Sequence, residues 1–286
     1  MIKKIRIIGV IGHPIKHSLS PVMQNAAFKA AGINYRYLPF DVKPEECFRF
    51  IRLLPRLGFT GINITVPHKE TAYNSVDYLS REAKLAGAVN TIKVHNKKLY
   101  GTSTDGEGLL RSLKMDADFV VKGKSIIILG AGGAGRSIAV YLATKGAKKI
   151  IIANRTPGNA LKAVALVRKA SPLTIVFAIK LKDKFVRFYS NTSDLIINAT
   201  SVGLNTTDTA VISHKAIRKG IIFYDLIYNP EVTSNIKEAK KGGAKTYNGL
   251  GMLLHQGAVS FEFWTGKKAP LSVMKRALQK GLREAP

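Results

Sequence analysis

Short apolar runs alternate along the chain with longer segments whose apolar residues follow a helical period. A short apolar run is typical of a strand that is buried in a parallel sheet. An amphipathic segment is typical of a helix that covers such a sheet. The pattern therefore predicts an α/β fold. The predicted strands cover residues 4–11, 35–42, 59–66, 126–129, 150–153, 173–178, 194–199, 221–227 and 244–247, with two more within 87–100.

The helical segments lie between these strands. Ser20 followed by Pro21 indicates an N-cap and the first residue of a helix. Residues 180–191 fit neither period and stay unassigned. The other predicted helices cover residues 44–54, 136–145, 159–170, 231–241, about 248–264 and 270–282.

One strand–turn–helix segment carries a nucleotide-binding pattern. Gly130, Gly132 and Gly135 follow a buried strand in the order G-x-G-x-x-G and open a helix. The glycines permit a tight turn, a close approach of the backbone to a pyrophosphate, and close packing of helix on sheet. Phosphates would bind at the helix N-terminus, where free N–H groups face them. The alternative is a glycine-rich turn without a ligand.

The next strand ends in Asn154, Arg155 and Thr156. NAD-binding units place an acidic residue about 20 residues after the glycines, on the ribose 2′-hydroxyl. This chain has an arginine there, and an arginine attracts a 2′-phosphate. We therefore predict NADP(H) rather than NAD(H). The alternative is a solvated charge at the end of a strand.

Composition limits the class of protein. The chain has 286 residues, 46% of them hydrophobic, and its single cysteine, Cys47, excludes a disulfide framework and a multi-cysteine metal site. We expect no metal, no membrane span and a cytoplasmic location. The net charge of +27 is extreme. It leaves binding to nucleic acid open, although the basic residues are spread along the chain.

Several polar residues are candidates for chemistry from their positions alone. Ser18 and Ser20, beside a helix start, could bind a small anion or serve only as caps. Asn63 and Thr65 share one face of a strand that leads through a proline to Lys69. This lysine is a candidate general acid or merely a solvated charge. Asp105 lies in a glycine-bounded loop, where it could simply cap a helix.

Taken in order, these segments resemble the shikimate dehydrogenase family along nearly the whole chain. The matching motifs are HSLSP, NITVPHK, GAVNT, TDG, GAGGAGR, NRT, NATSVG, DLIYNP and NGLGMLLHQGA. The resemblance implies an NADP-dependent oxidoreductase that interconverts 3-dehydroshikimate and shikimate in aromatic amino-acid biosynthesis. A shikimate/quinate dehydrogenase of relaxed specificity is the nearest alternative. A basic, non-catalytic nucleic-acid-binding protein is a more distant one.

The resemblance also implies roles for residues. Lys69 and Asp105 would be the catalytic pair. The substrate would be bound by Ser18, Ser20, Asn63, Thr65, Asn90, Tyr228 and Gln256. NADP would be bound by Gly130, Ala131, Gly132, Gly133, Ala134, Gly135, Asn154, Arg155, Thr156, Thr200, Ser201, Leu226 and Gly249. The histidines near these motifs, His13, His17 and His68, are peripheral.

The resemblance further implies the domain organisation. Residues 1–106 would form an α/β substrate-binding domain and residues 107–248 a Rossmann NADP-binding domain. Helices in residues 249–286 would return to the first domain, with a cleft between the two. A homodimer is left open. Three departures from the family matter. Ser103 stands where the family often has an asparagine before TDG, and the net charge of +27 is unusual for the family. Many NADP-specific members also carry a second arginine after NRT, whereas this chain continues with Pro157-Gly158-Asn159-Ala160.

Overall fold

The computed structural model describes residues 5–16 and 18–284. The predicted role of His17 and the start of the first predicted strand lie outside these residues. The described residues form two compact units, which divide the chain between Gly108 and Leu109 and again between Met252 and Leu253. The sequence placed these divisions after residues 106 and 248. The roles predicted for the two domains stay predictions at this point.

The secondary structure alternates between strands and helices. In the first part of the chain the elements are β1 (Arg6–Gly12), α1 (Ser20–Ala30), β2 (Tyr35–Asp41), α2 (Pro44–Leu53), β3 (Phe59–Ile64), α3 (Lys69–Ser75), β4 (Tyr78–Leu79), α4 (Arg81–Ala86), β5 (Thr91–His95), β6 (Lys98–Thr102) and α5 (Asp105–Asp116). They continue with β7 (Ser125–Leu129), α6 (Gly133–Thr144), β8 (Lys149–Asn154), α7 (Pro157–Ala170), β9 (Ile175–Lys180), α8 (Asp183–Ser190), β10 (Leu195–Asn198), a 3₁₀ helix (His214–Ala216), β11 (Ile222–Asp225), α9 (Ser234–Lys241), β12 (Lys245–Tyr247), α10 (Leu250–Thr265) and α11 (Leu271–Glu284).

The first unit is built on a mixed sheet of strand order β2-β1-β3-β5-β6-β4. β1 runs parallel to β2 and β3, whereas β5 runs antiparallel to β3 and β6. β5 and β6 form the predicted pair of strands, and the turn residues Asn96 and Lys97 both have positive φ, as a two-residue hairpin of type I′ requires. Completely buried Ile11, Ile51 and Ile62 lie in the core.

Most of α10, from Leu253 onward, and all of α11 belong to this first unit. The indole N–H of Trp264 donates to the carbonyl of Ile92 at 2.9 Å, and a side chain at Gly61 would collide with that indole ring. Phe261 stacks on Phe28 of α1 with 5.4 Å between ring centroids. The predicted return of the C-terminal helices to the first domain is therefore confirmed.

The second unit is an all-parallel sheet of order β12-β11-β10-β7-β8-β9. This is the strand order of the Rossmann fold, with β7 as its first strand. Its strands read as nearly continuous apolar runs because helices cover both faces. Ile127, Ile151 and Phe223, for example, are completely buried in one cluster. The predicted α/β fold class is confirmed.

The start of α1 differs from the prediction. The sequence made Ser20 the N-cap, but the helix already includes Ser20 and its N-cap is Leu19, whose side chain makes no capping bond. Ser18 instead accepts a hydrogen bond from the Ser20 N–H at 3.3 Å. The prediction was wrong by one residue: the Met23 N–H, which a Ser20 N-cap would bind, instead donates to the Leu19 carbonyl at 3.3 Å.

Candidate active site

Lys69 and Asp105 form a buried ion pair in the first unit. Lys69 is the first residue of α3 and Asp105 the first residue of α5. The Lys69 Nζ donates to Asp105 Oδ2 at 2.5 Å, and the two side chains are 13% and 6% exposed. Partial burial strengthens the attraction between the charges and excludes competing water. The two residues predicted as a catalytic pair are thus in direct contact.

Asn90 holds the second oxygen of this carboxylate. Its Nδ2 donates to Asp105 Oδ1 at 2.8 Å and to Thr104 Oγ1 at 2.9 Å. Its Oδ1 accepts from the backbone N–H of Thr104 at 2.8 Å and from the hydroxyl of Thr91 at 3.0 Å. Because a backbone N–H must donate, the Asn90 amide has only one satisfactory orientation, with its N–H groups toward Asp105.

Asn63 lies at the centre of a buried network next to this pair. Its Oδ1 accepts from the Tyr37 hydroxyl at 2.7 Å. Its Nδ2 faces the Asn90 carbonyl at 3.1 Å, Thr91 Oγ1 at 2.9 Å and Ser260 Oγ at 3.1 Å. The amide predicted to bind a substrate hydroxyl therefore already donates all its hydrogens within the unit.

The other predicted substrate residues of the first unit lie on neighbouring elements. Ser20 is buried, and its side chain is hydrogen-bonded to the Tyr37 side chain. Ser18 lies just before α1 and is half-buried. Thr65 follows β3, and its N–H donates to the Ile11 carbonyl at 2.9 Å. On α10, the Gln256 Oε1 accepts from Thr104 Oγ1 at 3.4 Å.

Four residues of the network were missed by the sequence reasoning: Tyr37, Thr91, Thr104 and Ser260. Thr91 directly follows Asn90, Thr104 directly precedes Asp105, and Ser260 lies one helical turn after Gln256, so three of them had a local signal. Ser260 Oγ lies 2.8 Å from Thr91 Oγ1 although the residues are far apart in the chain. Tyr37 had no signal. Its complete burial raises its pKa well above the usual value, against a smaller opposing effect of the Ser20 hydrogen bond.

In the second unit, the glycine loop has the form that a dinucleotide requires. Gly130 has a φ of +101°, which favours glycine, and a side chain at Gly135 would collide with the Gly130 carbonyl. A Cβ at Gly132 would meet no atom within 4 Å, and the α6 N-terminus has no side-chain cap. The loop thus leaves backbone N–H groups available to a phosphate.

Asn154 ties the glycine loop to the end of β8. Its Oδ1 accepts from the Ala131 N–H at 3.3 Å, and its Nδ2 donates to the Thr156 carbonyl at 2.9 Å. Arg155, between them, is exposed. The N-cap of α7 is Thr156, which makes no side-chain capping bond. The residues predicted to hold the ribose and its phosphate are therefore brought together.

The buried Asp225 organises the remaining residues that were predicted to bind the cofactor. It accepts hydrogen bonds from Asn198 Nδ2 at 2.9 Å, from the Ile227 N–H at 3.1 Å and from the Thr233 hydroxyl at 2.7 Å. Burial raises the pKa of Asp225, and these hydrogen bonds oppose the increase. The Asn198 Oδ1 accepts a hydrogen bond from the Thr200 hydroxyl at 2.7 Å. The loop after β10, with Thr200 and Ser201, is thereby tied to the loop after β11.

Gly249 packs directly on the chain after β11. Its N–H donates to the Ile227 carbonyl at 3.0 Å, and any side chain would collide with the Leu226 carbonyl. Tyr228 follows in the same loop and is half-buried. Among the described residues, no group of three or more His, Cys, Asp or Glu side chains is arranged to hold a metal ion. In that part of the chain, no helix has the length and apolar character needed to cross a membrane.

The fold and these two groups of side chains define a dinucleotide-binding α/β protein with a second α/β unit that carries a buried Lys–Asp pair. Three family models match the chain: the shikimate dehydrogenase substrate binding domain over residues 10–92, shikimate / quinate 5-dehydrogenase over 113–248, and the shikimate 5′-dehydrogenase C-terminal domain over 249–279.

Individual relatives agree with these models. A shikimate dehydrogenase (NADP(+)) of Methanopyrus kandleri is 43% identical, with 97% of this chain and 96% of the relative covered. A solved shikimate dehydrogenase in complex with NADP+ has a TM-score of 0.88 at 40% identity, covering 99% and 98% of the two chains. Shikimate 5-dehydrogenase from Listeria monocytogenes, in complex with shikimate and NAD, has a TM-score of 0.88 at 35% identity, covering 97% and 98%. The chain belongs to the shikimate dehydrogenase family, as the sequence motifs predicted.

Proposed function

We propose that this protein is an NADP-dependent oxidoreductase that interconverts 3-dehydroshikimate and shikimate in aromatic amino-acid biosynthesis. The observation that carries the proposal is the buried contact between Lys69 and Asp105, in a chain of this family. A protein that only bound a ligand would have no need to bury a charged pair there, since removing two charges from water costs free energy.

Lys69 would act on the oxygen at C3 of the substrate. In the reductive direction negative charge develops on the carbonyl oxygen, and the ammonium of Lys69 stabilises that charge and delivers the proton. Asp105 orients the ammonium through Oδ2, while Asn90 fixes the carboxylate through Oδ1. A bound nicotinamide would supply the hydride in this direction and accept it in the other.

The residues of the second unit fit NADP. The open space at Gly132 and the uncapped start of α6 accept a pyrophosphate, with Ala131, Gly133 and Ala134 completing the loop. Arg155 attracts a 2′-phosphate by its charge. The ribose and nicotinamide side would be lined by Asn154, Thr156, Thr200, Ser201, Leu226 and Gly249.

The substrate is a ring with one carboxylate and several hydroxyl groups. Ser18 and Ser20 would donate to the carboxylate. Other polar residues would each recognise one hydroxyl, because an unpaired polar group in a buried site is costly. We assign this role to Thr65, Asn90, Tyr228 and Gln256. Asn63 would take part through its Oδ1, which accepts one hydrogen bond from Tyr37 and keeps a second lone pair, since its amide hydrogens already donate within the unit.

Quinate is the second candidate substrate, since the model that matches residues 113–248 describes shikimate and quinate enzymes together. Quinate carries an additional hydroxyl beside the carboxylate. Two serines at positions 18 and 20 fit the shikimate-specific pattern of the family better, and one methyl or hydroxyl group there would decide between the two substrates.

The test is a direct assay. Purified protein is mixed with shikimate and NADP⁺, and the absorbance of the reduced nicotinamide is followed, with NAD⁺ and quinate as parallel substitutions. We expect fast reduction of NADP⁺ with shikimate and slow reduction in the other pairings. Comparable rates with quinate would favour the enzyme of relaxed specificity. Folded protein that reduces neither cofactor with either substrate would refute the proposal.

Two further properties belong to the proposal. We propose a cytoplasmic location, with which a single, buried cysteine is compatible. We also keep a homodimer as a proposal. Its test is the molar mass in solution, by light scattering, which would equal that of two chains rather than one.

A further inference from the structure

The run that follows NRT, Pro157-Gly158-Asn159-Ala160, contains no second arginine, so Arg155 would bind the 2′-phosphate without one. We propose that Lys180, at the end of β9, is the second cation that selects a 2′-phosphate on the adenosine ribose. This inference rests on the proposed function and names a residue that determines cofactor specificity.

The strand register brings Lys180 beside the NRT segment. β8 and β9 run parallel, and their last paired residues are Asn154 and Lys180. The Leu181 N–H donates to the Asn154 carbonyl at 3.1 Å. Neighbouring strands lie about 4.8 Å apart, so a lysine side chain at this position starts within one strand spacing of Asn154.

The same register shows which face of the sheet Lys180 occupies. Ile151 pairs with Phe177, and both pack in the cluster that includes Val186 of α8. Asn154 and Lys180 each lie three residues further along their strand, and side chains alternate between faces. Both therefore project to the opposite face, away from α8. α7, which begins at Pro157 directly after NRT, packs against β8 and β9.

The Asn154 side chain confirms this direction. It contacts the Ala131 N–H of the glycine loop and the Thr156 carbonyl of the NRT segment. Lys180 thus lies on the side of the sheet where the two predicted phosphate-binding segments meet. Lys180 and Arg155 are both exposed, and within residues 5–16 and 18–284 neither side chain makes a hydrogen bond or an ion pair.

The local charge also favours a phosphate. Residues 119–182 contain no aspartate and no glutamate, but they include Arg136, Arg155, Lys162, Lys180 and Lys182. No carboxylate from this stretch is available to accept a hydrogen bond from a ribose 2′-hydroxyl, as NAD-binding units require. No carboxylate from this stretch neutralises the cations either. A phosphate beside two uncompensated cations gains more than a hydroxyl does.

The experiment measures binding of two probe ligands by calorimetry, without catalysis. Adenosine 2′,5′-bisphosphate carries the 2′-phosphate and 5′-AMP lacks it. They are titrated into the whole protein and into Lys180→Gln. Lys184→Gln is the matched control, because it removes the same charge from α8, on the other face of the sheet. Thermal unfolding checks that both variants fold.

We expect Lys180→Gln to weaken binding of the bisphosphate about fivefold to tenfold, as loss of one exposed charge-assisted contact does. Binding of 5′-AMP should change less than about twofold, and Lys184→Gln should resemble the unaltered protein. An unchanged ratio of the two affinities in Lys180→Gln would overturn the inference about Lys180. It would not contradict the proposal that the cofactor is NADP. If the unaltered protein itself bound the two probes equally, the proposed cofactor would be wrong.

Discussion

At the scale of the residue, the proposed chemistry depends on one ammonium group. We predict that Lys69→Ala lowers turnover by about 10²- to 10⁴-fold, the usual contribution of a positioned acid or base. The dissociation constant for shikimate should change only a few-fold, because other polar residues would bind the ring. Both quantities are measurable by steady-state kinetics and calorimetry.

The matched control is Lys84→Ala, which removes an exposed lysine from α4 of the same unit. Its turnover should equal that of the unaltered protein. A Lys69→Ala enzyme with normal turnover would show that the proton comes from another group.

A single buried hydroxyl should also matter. Tyr37→Phe removes the donor at 2.7 Å from Asn63 Oδ1 and leaves that oxygen buried with one partner fewer. We expect the free energy of unfolding to fall by about 1–2 kcal/mol, measured by urea titration. Tyr78→Phe is the control, because Tyr78 is exposed. Equal stability of the two variants would mean that the network can rearrange without cost.

Motifs predicted the charged pair and Asn90 because each residue stands in a short, recognisable segment. They could not predict Ser260 as a partner of Asn63, which lies 197 positions earlier in the chain. Hydrogen bonds of this kind depend on how a helix packs on a sheet. Spacing along the chain contains no such information.

At the scale of the element, strand and helix periods predicted most of the fold. The long apolar runs form β7, β8, β10 and β11, with bounds close to the predicted ones. The short helices α3 and α4 were missed, because six or seven residues show too little periodicity. Residues 180–191 were ambiguous because β9 ends at Lys180 and α8 begins at Asp183, so one short segment contains parts of both.

The packing of Gly249 against the loop after β11 gives an element-scale prediction. Gly249→Ala should lower the free energy of unfolding by about 1–3 kcal/mol, the usual cost of overpacking, since the added methyl collides with the Leu226 carbonyl. Gly158→Ala, in the first turn of α7, meets no atom within 4 Å and should be neutral or slightly stabilising. Thermal unfolding compares the two; equal losses would contradict the steric explanation.

Glu238 joins α9 to the 3₁₀ helix. Its carboxylate accepts from Lys241 Nζ at 2.7 Å and from the His214 N–H at 2.8 Å, and these contacts lower its pKa to about 2. A lowered pKa means that the stabilisation is complete above the unfolded value of about 4.5 and is lost as the pH falls toward 2.

Glu238→Gln should therefore reduce the difference in stability between pH 6 and pH 3, measured by urea unfolding. Glu284→Gln is the control, because its contact with Lys280 is exposed and 3.8 Å long. A Glu238→Gln protein that kept the full pH dependence would show that other carboxylates cause it.

At the scale of the whole molecule, the dominant electrostatic feature is the net charge of +27. A net charge this large makes the folded chain repel itself, and salt screens that repulsion. We predict that the midpoint of thermal unfolding rises between about 10 mM and 200 mM sodium chloride. A midpoint that fell with salt would mean that attractive ion pairs outweigh the repulsion. Steeply salt-dependent retention on DNA would instead revive the nucleic-acid alternative.

The acid-free stretch of residues 119–182 has a consequence for acidity. It also contains no histidine and no cysteine, so no side chain in it changes charge between about pH 5 and pH 8. A phosphate monoester, by contrast, takes up its second proton near pH 6. The positive charge of this stretch thus stays constant with pH, while the charge of the ligand's phosphate varies. The preference for NADP over NAD would then weaken in mild acid because the 2′-phosphate is protonated, and not because the charge of this stretch changes.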